Sequence, residues 1–184
     1  MEARPRQWRR WARLAAIVIL GGFLLLNIMA FLHARAMTRF TTSGKRTAEP
    51  ERLSFLERAE VVCCGINVTR PLNLYSPADI GLSFETRTFT GARELKVEAW
   101  FIRQTNSVGT VLLFHGYASS KESLLSASRE FHVLGYDVLL VDFFGSGGSA
   151  GKETSVGFYE AEDVVAAYRL VRAEAADRPV VLYG

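Results

Sequence analysis

Three short runs dominated by apolar residues constrain the fold of this chain most strongly. They are TVLLF (110–114), DVLLV (137–141) and VVLY (180–183). Each has the length of a strand, and a continuous apolar run is typical of a strand that is buried on both faces. Helical patterns separate the runs along the sequence. Strands that alternate with helices predict an α/β fold with a parallel sheet covered on both faces.

A different pattern precedes these runs. In LSFETRTF (82–89) and LKVEAWFI (95–102), apolar and polar residues alternate, and a turn that contains Gly91 joins the two segments. Two alternating segments on either side of a short glycine-containing turn predict an antiparallel hairpin. The predicted order is therefore an antiparallel hairpin followed by strand, helix, strand, helix and strand.

The two predicted helices have recognisable ends and faces. Ser119 and Glu122 have the spacing of a capping box at the start of the first helix, and Gly135 predicts its end. The apolar stripe of this helix consists of Leu124, Ala127, Phe131 and Leu134. The apolar face predicted for the second helix consists of Ala161, Val164, Val165, Tyr168 and Val171.

A nineteen-residue apolar segment (14–32) lies near the amino terminus. At 1.5 Å per residue it is roughly 28 Å long, which matches the hydrocarbon thickness of a bilayer. It predicts one transmembrane helix. A cleaved signal peptide is the alternative, because Ala34 and Ala36 form an A-x-A pattern. We favour an uncleaved anchor, since the apolar region of a signal peptide is usually shorter.

The distribution of basic residues predicts how this anchor is oriented. Five arginines precede the segment, and four basic residues follow it before position 47. The slight excess on the amino side places the amino terminus in the cytoplasm and the rest of the chain outside. The predicted organisation is a basic tail (1–13), a transmembrane helix (14–32), a juxtamembrane linker with a short helix (33–81) and a globular domain (82–184).

Charge and cysteine content exclude several classes of function. The formal net charge is +3, but the basic residues are concentrated before the apolar segment, so we expect no nucleic-acid binding. Cys63 and Cys64 are adjacent, which suits neither a zinc site nor a disulfide framework, and we expect them to be small buried hydrophobic residues. The short helix opened by Pro50 and ended near Gly65 has an apolar face, which includes Leu56, that is suited either to lying on the membrane surface or to packing under the globular domain. We expect it to pack under the domain.

The first candidate functional loop is FHGYASS (114–120), at the carboxyl end of a predicted strand. Open α/β sheets bind their ligands at that end of the strands. Gly116 lacks a Cβ, which permits a sharp turn and leaves the backbone N–H of Tyr117 pointing into the crevice. An amide there can stabilise a developing oxyanion. We expect His115 to be hydrogen-bonded to neighbouring loops rather than to act as a general base.

The second candidate loop is DFFGSGGSAGKET (142–154). It fails the Walker A pattern, because Ser146 and Glu153 occupy the positions of the first glycine and the final Ser or Thr. The dinucleotide fingerprint is matched by Gly145, Gly147 and Ala150. However, that fingerprint should open a helix directly, and here four further residues intervene. A dinucleotide-binding oxidoreductase therefore stays only as an alternative.

Taken in order, four stretches resemble the α/β-hydrolase fold: TVLLFHGYASSKESL, FHVLGYDVLLVDFFGSGGSAG, EAEDVVAAYRLVR and RPVVLYG. More narrowly, the chain is similar to membrane-anchored bacterial hydrolases of the serine aminopeptidase and lysophospholipase-like branch. The similarity covers residues 82–184. It rests on the H-G after the third strand and on a D-x-x-G-x-G-x-S pattern after the fourth. That pattern is formed by Asp142, Gly145, Gly147 and Ser149.

The resemblance implies a role for each of these residues. Tyr117 would donate one oxyanion-hole hydrogen bond from its backbone N–H, and His115 and Gly116 would shape its loop. The neighbouring loop would be braced by Asp142, Gly145, Gly147 and Ser149. Gly184 would be the first glycine of the G-x-S-x-G nucleophile elbow. The serine, the acid and the histidine of the triad would then lie beyond this chain, and the fragment itself would be inactive.

The same resemblance implies a small-molecule or lipid-like acyl substrate, with no metal and no organic cofactor. A non-enzymatic, membrane-anchored binding module with a hydrolase-like domain is the alternative from another class. A sheet that stops at its fifth strand leaves an edge and apolar faces uncovered. We therefore expect residues 40–184, expressed alone, to be aggregated or molten rather than to melt cooperatively as a soluble monomer.

Overall fold

The structure, a computed structural model, describes residues 6–42, 46–175 and 177–184. The chain divides into two compact units. The helical unit contains the described residues up to Met37 together with Thr47–Ile66. The sheet unit contains the described residues from Thr38 to Arg46 together with Asn67–Gly184. Each unit is described by itself.

The helical unit begins with one long helix, α1 (Arg6–Thr38). Its central residues are almost all apolar and exposed, and it is long and apolar enough to cross a membrane. A signal sequence near an amino terminus fits the same description. The helix extends on both sides of the predicted span (14–32) and includes both alanines of the A-x-A pattern.

The second helix of this unit, α2 (Phe55–Cys64), follows a 3₁₀ turn at Pro50–Arg52. Ser54 and Glu57 form a capping box at its start, and Gly65, with a φ of +89°, ends it. The predicted helix therefore has the right end but starts five residues later than Pro50, because the Ser54 cap sets a new amino terminus.

One expectation about α2 is wrong. No residue of α2 is buried, and Leu56 is 78% exposed. Cys63 and Cys64 are both exposed rather than buried. Local sequence pattern showed an apolar face but not what covers it.

The sheet unit contains five strands in the spatial order β1-β2-β4-β3-β5. β1 pairs with β2, and β2 with β4, in antiparallel fashion, whereas β3 is parallel to both β4 and β5. This arrangement confirms the predicted hairpin and the parallel strands that follow it. The strands are β1 (Glu85–Thr90), β2 (Lys96–Ile102), β3 (Thr110–Phe114), β4 (Asp137–Asp142) and β5 (Val180–Tyr183).

The expectation that β5 is a buried strand is wrong. β3 and β4 are buried along their whole length, but Val181, Leu182 and Tyr183 are 40–54% exposed. β5 pairs with β3 on one side only, and no strand among the described residues pairs with its other side. An edge strand that is uncovered on its faces stays exposed, whatever its composition.

Two helices cover the faces of the sheet, α3 (Leu125–Val133) and α4 (Glu160–Glu174). α3 packs with Leu125 against the cluster formed by Trp100, Ile102, Val111, Leu113, Val138 and Leu140. α4 packs with Ala167 and Val171 against the cluster formed by Val97, Ala99, Phe101, Leu112, Phe114, Leu139 and Val141. These two clusters are the core, and together they fix the strand ends that carry the loops.

The predicted capping box before α3 is wrong. The Ser119 hydroxyl donates to Ser123 Oγ at 2.9 Å, and the N-cap of the 3₁₀ turn at Lys121–Leu124 is Ser120. The Glu122 carboxylate instead accepts hydrogen bonds from backbone N–H groups of the segment before β1. The predicted end of α3 is confirmed by Gly135, which has a φ of +91°.

The buried face of α4 is rotated from the predicted one. Glu160, Asp163, Ala167 and Val171 are buried, whereas Val165 and Tyr168 are 45% and 41% exposed. The apolar pattern could not show this rotation, because two of the buried residues are carboxylates that accept hydrogen bonds from neighbouring loops.

Candidate functional site

The loop that follows β3, residues 115–120 (the β3 loop), begins with a buried histidine. The backbone N–H of Phe143 donates to His115 Nε2 at 3.1 Å, so that nitrogen is an acceptor without a proton. The other ring nitrogen, Nδ1, lies 2.9 Å from the carbonyl oxygen of Gly116 and donates to it. These two hydrogen bonds indicate that the imidazole is neutral. They connect the β3 loop to Phe143, directly after β4. His115 is therefore satisfied by its neighbours, as expected, and has no lone pair available for a general base.

Burial lowers the pKa of His115, and hydrogen bonding to Gly116 opposes this only in part. In the unfolded chain a histidine takes up a proton near pH 6.5. The unfolded state therefore binds more protons than the folded state below that pH, and stability falls as the solution is acidified.

We expect His115→Gln to reduce this acid sensitivity. Urea unfolding at about pH 7.5 and about pH 5.5 should show a smaller loss of stability for the variant than for the wild type, since the group that titrates has been removed. An equal loss in both proteins would show that His115 does not contribute to the acid sensitivity.

Gly116 and Tyr117 come next in the β3 loop. The residue with a positive φ in this turn is Ala118, at +53°, and not Gly116. A Cβ added to Gly116 would meet no heavy atom within 4 Å. The turn therefore does not require glycine at position 116 for steric reasons, and the missing Cβ instead leaves open space beside the Tyr117 backbone.

That space is part of a cavity of about 400 Å³ in the sheet unit. It lies between the β3 loop, the β4 loop (residues 143–159) and the first turns of α4. Most of its lining is aromatic or aliphatic. The lining residues include Phe40, Tyr117, Phe143, Phe144, Val156, Ala161 and Val164, with Glu160 as a charged member.

Phe40 reaches this cavity from the segment directly after α1. Its backbone N–H donates to the Lys152 carbonyl at 2.8 Å, and Thr41 N–H donates to the Val68 carbonyl at 2.8 Å. The phenyl ring is only 4% exposed. Residues 38–41, which fall in the predicted linker (33–81), are therefore bound into the sheet unit by backbone hydrogen bonds.

Asp142 stands at the end of β4 and is completely buried. Its Oδ1 accepts the Lys121 backbone N–H at 2.8 Å. Its Oδ2 accepts hydrogen bonds from the Lys121 ammonium at 2.6 Å, from Gly148 N–H at 2.8 Å and from the Asn73 side chain at 2.7 Å. A single carboxylate thus ties the β3 loop, the β4 loop and the segment before β1 together.

Lys121 is the residue that sequence reasoning missed. It is fully buried, its ammonium also lies 2.9 Å from Glu98 Oε1, and it sits 4.4 Å from the centre of the Trp100 ring. Burial alone would raise the pKa of Asp142, but the Lys121 charge and the hydrogen bonds outweigh it and lower that pKa. The carboxylate is therefore ionised, and the two buried charges compensate each other.

The glycines of the β4 loop fold this loop onto Asp142. A Cβ on Gly147, whose φ is +48°, would lie 1.9 Å from Asp142 Oδ2, and one on Gly145 would lie 2.1 Å from the Glu153 carbonyl oxygen. Ser149 Oγ donates to the Asp142 carbonyl at 2.6 Å and accepts the Glu98 N–H at 2.8 Å. The loop is a brace packed against β2 and β4.

This packing argues against a dinucleotide-binding site in the β4 loop. The backbone N–H groups of Gly145, Gly147, Gly148 and Ser149 all donate to acceptors within the protein. A pyrophosphate site needs such amides to point at the ligand. In addition, α4 begins only at Glu160, well after the glycines. The described loop therefore lacks the geometry that the dinucleotide fingerprint requires.

Two further carboxylates lie where the β4 loop meets α4. Glu160 accepts hydrogen bonds from Thr154 Oγ1 and from the N–H groups of Ser155 and Gly157. Burial raises its pKa, but hydrogen bonds from the Ser155 hydroxyl, the Thr154 hydroxyl and the Ser155 backbone N–H outweigh burial and lower it. Asp163 accepts the Phe144 N–H, and burial raises its pKa. Both carboxylates hold the loop in place. Among the described residues, no cluster of His, Cys, Asp and Glu is arranged to hold a metal ion.

Gly184 follows β5 at the same edge of the sheet as the β3 loop. A Cβ on Gly184 would lie 3.4 Å from the carbonyl oxygen of Phe114, the last residue of β3. Gly184 therefore lies beside the residue from which the β3 loop leaves the sheet. The structure thus brings Gly184 next to the start of the β3 loop. Asp142 holds the other end of that loop through the Lys121 backbone N–H.

Comparison with known proteins identifies the fold. No protein-family model matches the chain, and no curated protein matches it. Solved structures do. The esterase Pf2001 of Pyrococcus furiosus is 29% identical, with a TM-score of 0.56, over 63% of this chain and 47% of that protein. In another crystal form the same esterase aligns at 25% identity and a TM-score of 0.53. DcsB, solved in complex with its substrate analogue, is 18% identical with a TM-score of 0.50, over 55% of this chain and 36% of that protein.

These similarities establish an α/β-hydrolase-like fold with a mixed five-stranded sheet. The chain spans about half the length of the esterase structure that it matches. The similarity concerns the scaffold, and the function must be argued from the site.

Proposed function

We propose, from this α/β-hydrolase-like scaffold, that the chain is the amino-terminal part of a membrane-anchored serine hydrolase. The enzyme would cleave an ester, thioester or amide bond through an acyl-enzyme. One observation carries the proposal: Gly184 lies against Phe114, the residue directly before the loop that contains Tyr117. This is the arrangement that a nucleophile elbow and an oxyanion hole require.

In the proposed mechanism the nucleophile is a serine two positions beyond Gly184. Its oxygen attacks the substrate carbonyl, and the Tyr117 backbone N–H donates to the resulting oxyanion. A histidine later in the protein takes the serine proton and passes it to the leaving group, and water then hydrolyses the acyl-enzyme. Residues 1–184 alone, with one oxyanion donor and no triad, would be inactive.

The other residues of the site would position the Tyr117 loop. His115 fixes its start through hydrogen bonds to Phe143 and Gly116. Asp142 fixes its end through the Lys121 backbone N–H. Gly145, Gly147 and Ser149 hold the neighbouring loop against Asp142. None of these residues would contact the reacting atoms, and no metal or organic cofactor is needed.

The membrane part of the proposal rests on α1. Its apolar segment (14–32) would cross the bilayer once, with the amino terminus in the cytoplasm and the sheet unit outside. The largely apolar cavity suits a small-molecule or lipid-like acyl substrate. The narrower similarity to serine aminopeptidases and lysophospholipase-like hydrolases stays a prediction.

The coding sequence downstream of Gly184 tests the proposal against its rivals. A continuation of the form x-Ser-x-Gly supports the hydrolase. A stop codon directly after Gly184 would contradict it and favour the binding module. Retention of the protein on a nicotinamide resin would favour the oxidoreductase.

The Gly116→Ala variant separates folding from the proposed catalysis. Because a Cβ at position 116 meets open space, we expect the free energy of unfolding to change by less than about 0.5 kcal/mol. The methyl group would occupy the cavity beside Tyr117, where the substrate carbonyl must lie. Loss of one oxyanion contact typically lowers kcat by about 100-fold or more, and we expect a fall of at least about tenfold.

A matched variant in the same loop is Ala118→Gly. It removes a methyl group from a residue with a positive φ, and leaves the cavity open, so activity should be retained. Hydrolysis of a p-nitrophenyl ester by the full-length protein measures both variants. Full activity of Gly116→Ala would contradict the placement of the oxyanion hole.

A further inference from the structure

The helix α2 carries an apolar face that no described residue covers. At 100° per residue, most of its apolar side chains fall within an arc of about 120° on one side, and Val61 lies on the other side. Phe55, Leu56 and Val62 on this face are 85%, 78% and 60% exposed. Ala59 and Cys63 complete the face and are also exposed. Exposed apolar faces of this kind mark contact sites.

Apart from Val61, the opposite side of α2 is polar. Glu57 and Glu60 lie there, together with Cys64, which is about 140° away from the centre of the apolar face. Ser54 and Glu57 close the amino end of the helix in a capping box, so its first turn is stabilised locally without tertiary contacts. A short helix in isolation is only marginally stable in water, even when it is capped. Contact between its apolar face and a partner would therefore stabilise α2.

The carboxyl end of α2 is fixed to the end of α1 within the helical unit. His33 Nε2 lies 2.8 Å from the carbonyl oxygen of Val62. The backbone at Gly65 approaches α1 so closely that a Cβ there would lie 2.8 Å from Ala36 Cβ. His33 and Ala36 follow Leu32, the last residue of the apolar segment of α1, by about 2–6 Å along the helix axis.

This attachment sets the depth of α2 relative to a bilayer. If the apolar segment of α1 spans the hydrocarbon region, then His33–Ala36 lies at the boundary between acyl chains and headgroups. The carboxyl end of α2 lies at the same level. At that level an exposed apolar helix face can insert among the acyl chains and headgroups.

We propose that α2 is an interfacial helix that lies on the lipid surface, with its apolar face inserted among the acyl chains and headgroups. Phe55, Leu56, Val62 and Cys63 contact lipid, and Glu57, Glu60 and Cys64 face water. Helices of this kind bury their apolar side about 5–10 Å into the boundary. The inference rests on the proposed membrane span of α1, and α2 would give the protein a second membrane contact.

The two cysteines provide the test, because they are the only cysteines in these 184 residues and lie on different faces of α2. Cys64→Ser leaves a single thiol on the apolar face, and Cys63→Ser leaves one on the polar face. Each variant of the full chain is labelled with the environment-sensitive fluorophore NBD and reconstituted in phosphatidylcholine liposomes. Lipids with a doxyl quencher near the headgroup report contact with the bilayer, and aqueous iodide reports contact with water.

We expect NBD on Cys63 to be quenched by doxyl lipid about threefold more than NBD on Cys64, and NBD on Cys64 to be quenched more by iodide. Adding Leu56→Glu to the Cys63-labelled protein should abolish the difference. Equal quenching at the two positions would overturn the proposal. Protection of Cys63 from both quenchers would also overturn it, because it would show protein packing.

A third labelled position distinguishes this inference from the membrane span itself. In a chain without cysteines, Leu20→Cys places NBD in the middle of the apolar segment of α1. Strong quenching there by a doxyl group deep in the acyl chains supports the span. If Leu20→Cys is quenched and Cys63 is not, only the interfacial helix is contradicted. If neither position is quenched, the span fails as well.

Discussion

Replacing Lys121 with methionine should lower the free energy of unfolding of the full-length protein by about 3–5 kcal/mol, because it leaves a buried carboxylate without its counter-charge. Asp142 is completely buried, and Lys121 is its only charged partner within hydrogen-bonding distance among the described residues. The remaining hydrogen bonds from Gly148 and Asn73 do not neutralise it. Urea unfolding in detergent measures the effect. Unfolding is followed by tryptophan fluorescence, since the Trp100 ring lies 4.4 Å from the Lys121 ammonium.

Two controls define this effect. Lys152→Met removes an exposed charge from the β4 loop and should change stability by less than about 0.5 kcal/mol. The double variant Lys121→Met with Asp142→Asn removes both buried charges, keeps a side-chain oxygen as acceptor for the neighbouring N–H groups, and should recover part of the loss. A loss of less than about 1 kcal/mol in Lys121→Met would contradict the account of Asp142 as an ionised brace.

The second large effect is expected for Gly147→Ala. A Cβ there would lie 1.9 Å from Asp142 Oδ2, and the backbone φ is +48°. The left-handed conformation costs about 1–2 kcal/mol in a residue with a Cβ, and overpacking about 1–3 kcal/mol more. We therefore expect Gly147→Ala to destabilise the protein by about 2–5 kcal/mol, and to lower activity as the β3 loop loses its support.

Gly116→Ala is the matched comparison, because it makes the same chemical change in the neighbouring loop. There the added Cβ meets nothing within 4 Å. Gly147→Ala should thus lose stability, and Gly116→Ala should lose activity alone. Similar unfolding curves for the two variants would show that the β4 loop can rearrange around Asp142 without cost.

Much of the fold could be predicted because local sequence patterns determine its strands and its hairpin. The apolar runs at 110–114 and 137–141 are strands buried on both faces, and the hairpin follows from alternation. The exposure of β5 and of α2 could not be predicted in this way. Both have strand-like or helical apolar patterns, but whether they are covered depends on neighbours that are distant in the sequence.

The site was only partly predictable. Glycine and histidine in the β3 loop gave a recognisable motif, and Asp142 was identified with the loop that follows it. Lys121 was missed, since a lysine before an apolar helix normally faces solvent. Its partners, Glu98 and Asp142, are 23 and 21 residues away and meet it only when β2 and β4 pair. Ala118 was missed because no local signal reveals its positive φ.

The central claim is that this scaffold carries a serine nucleophile in the turn that begins at Gly184. Treating the full-length membrane protein with a fluorophosphonate probe and locating the adduct by mass spectrometry tests it directly. We predict one adduct, on the serine two positions beyond Gly184, that is lost when this serine is changed to alanine and is weakened by Gly116→Ala. A folded full-length protein that takes up no probe, or that is labelled elsewhere, would contradict the claim.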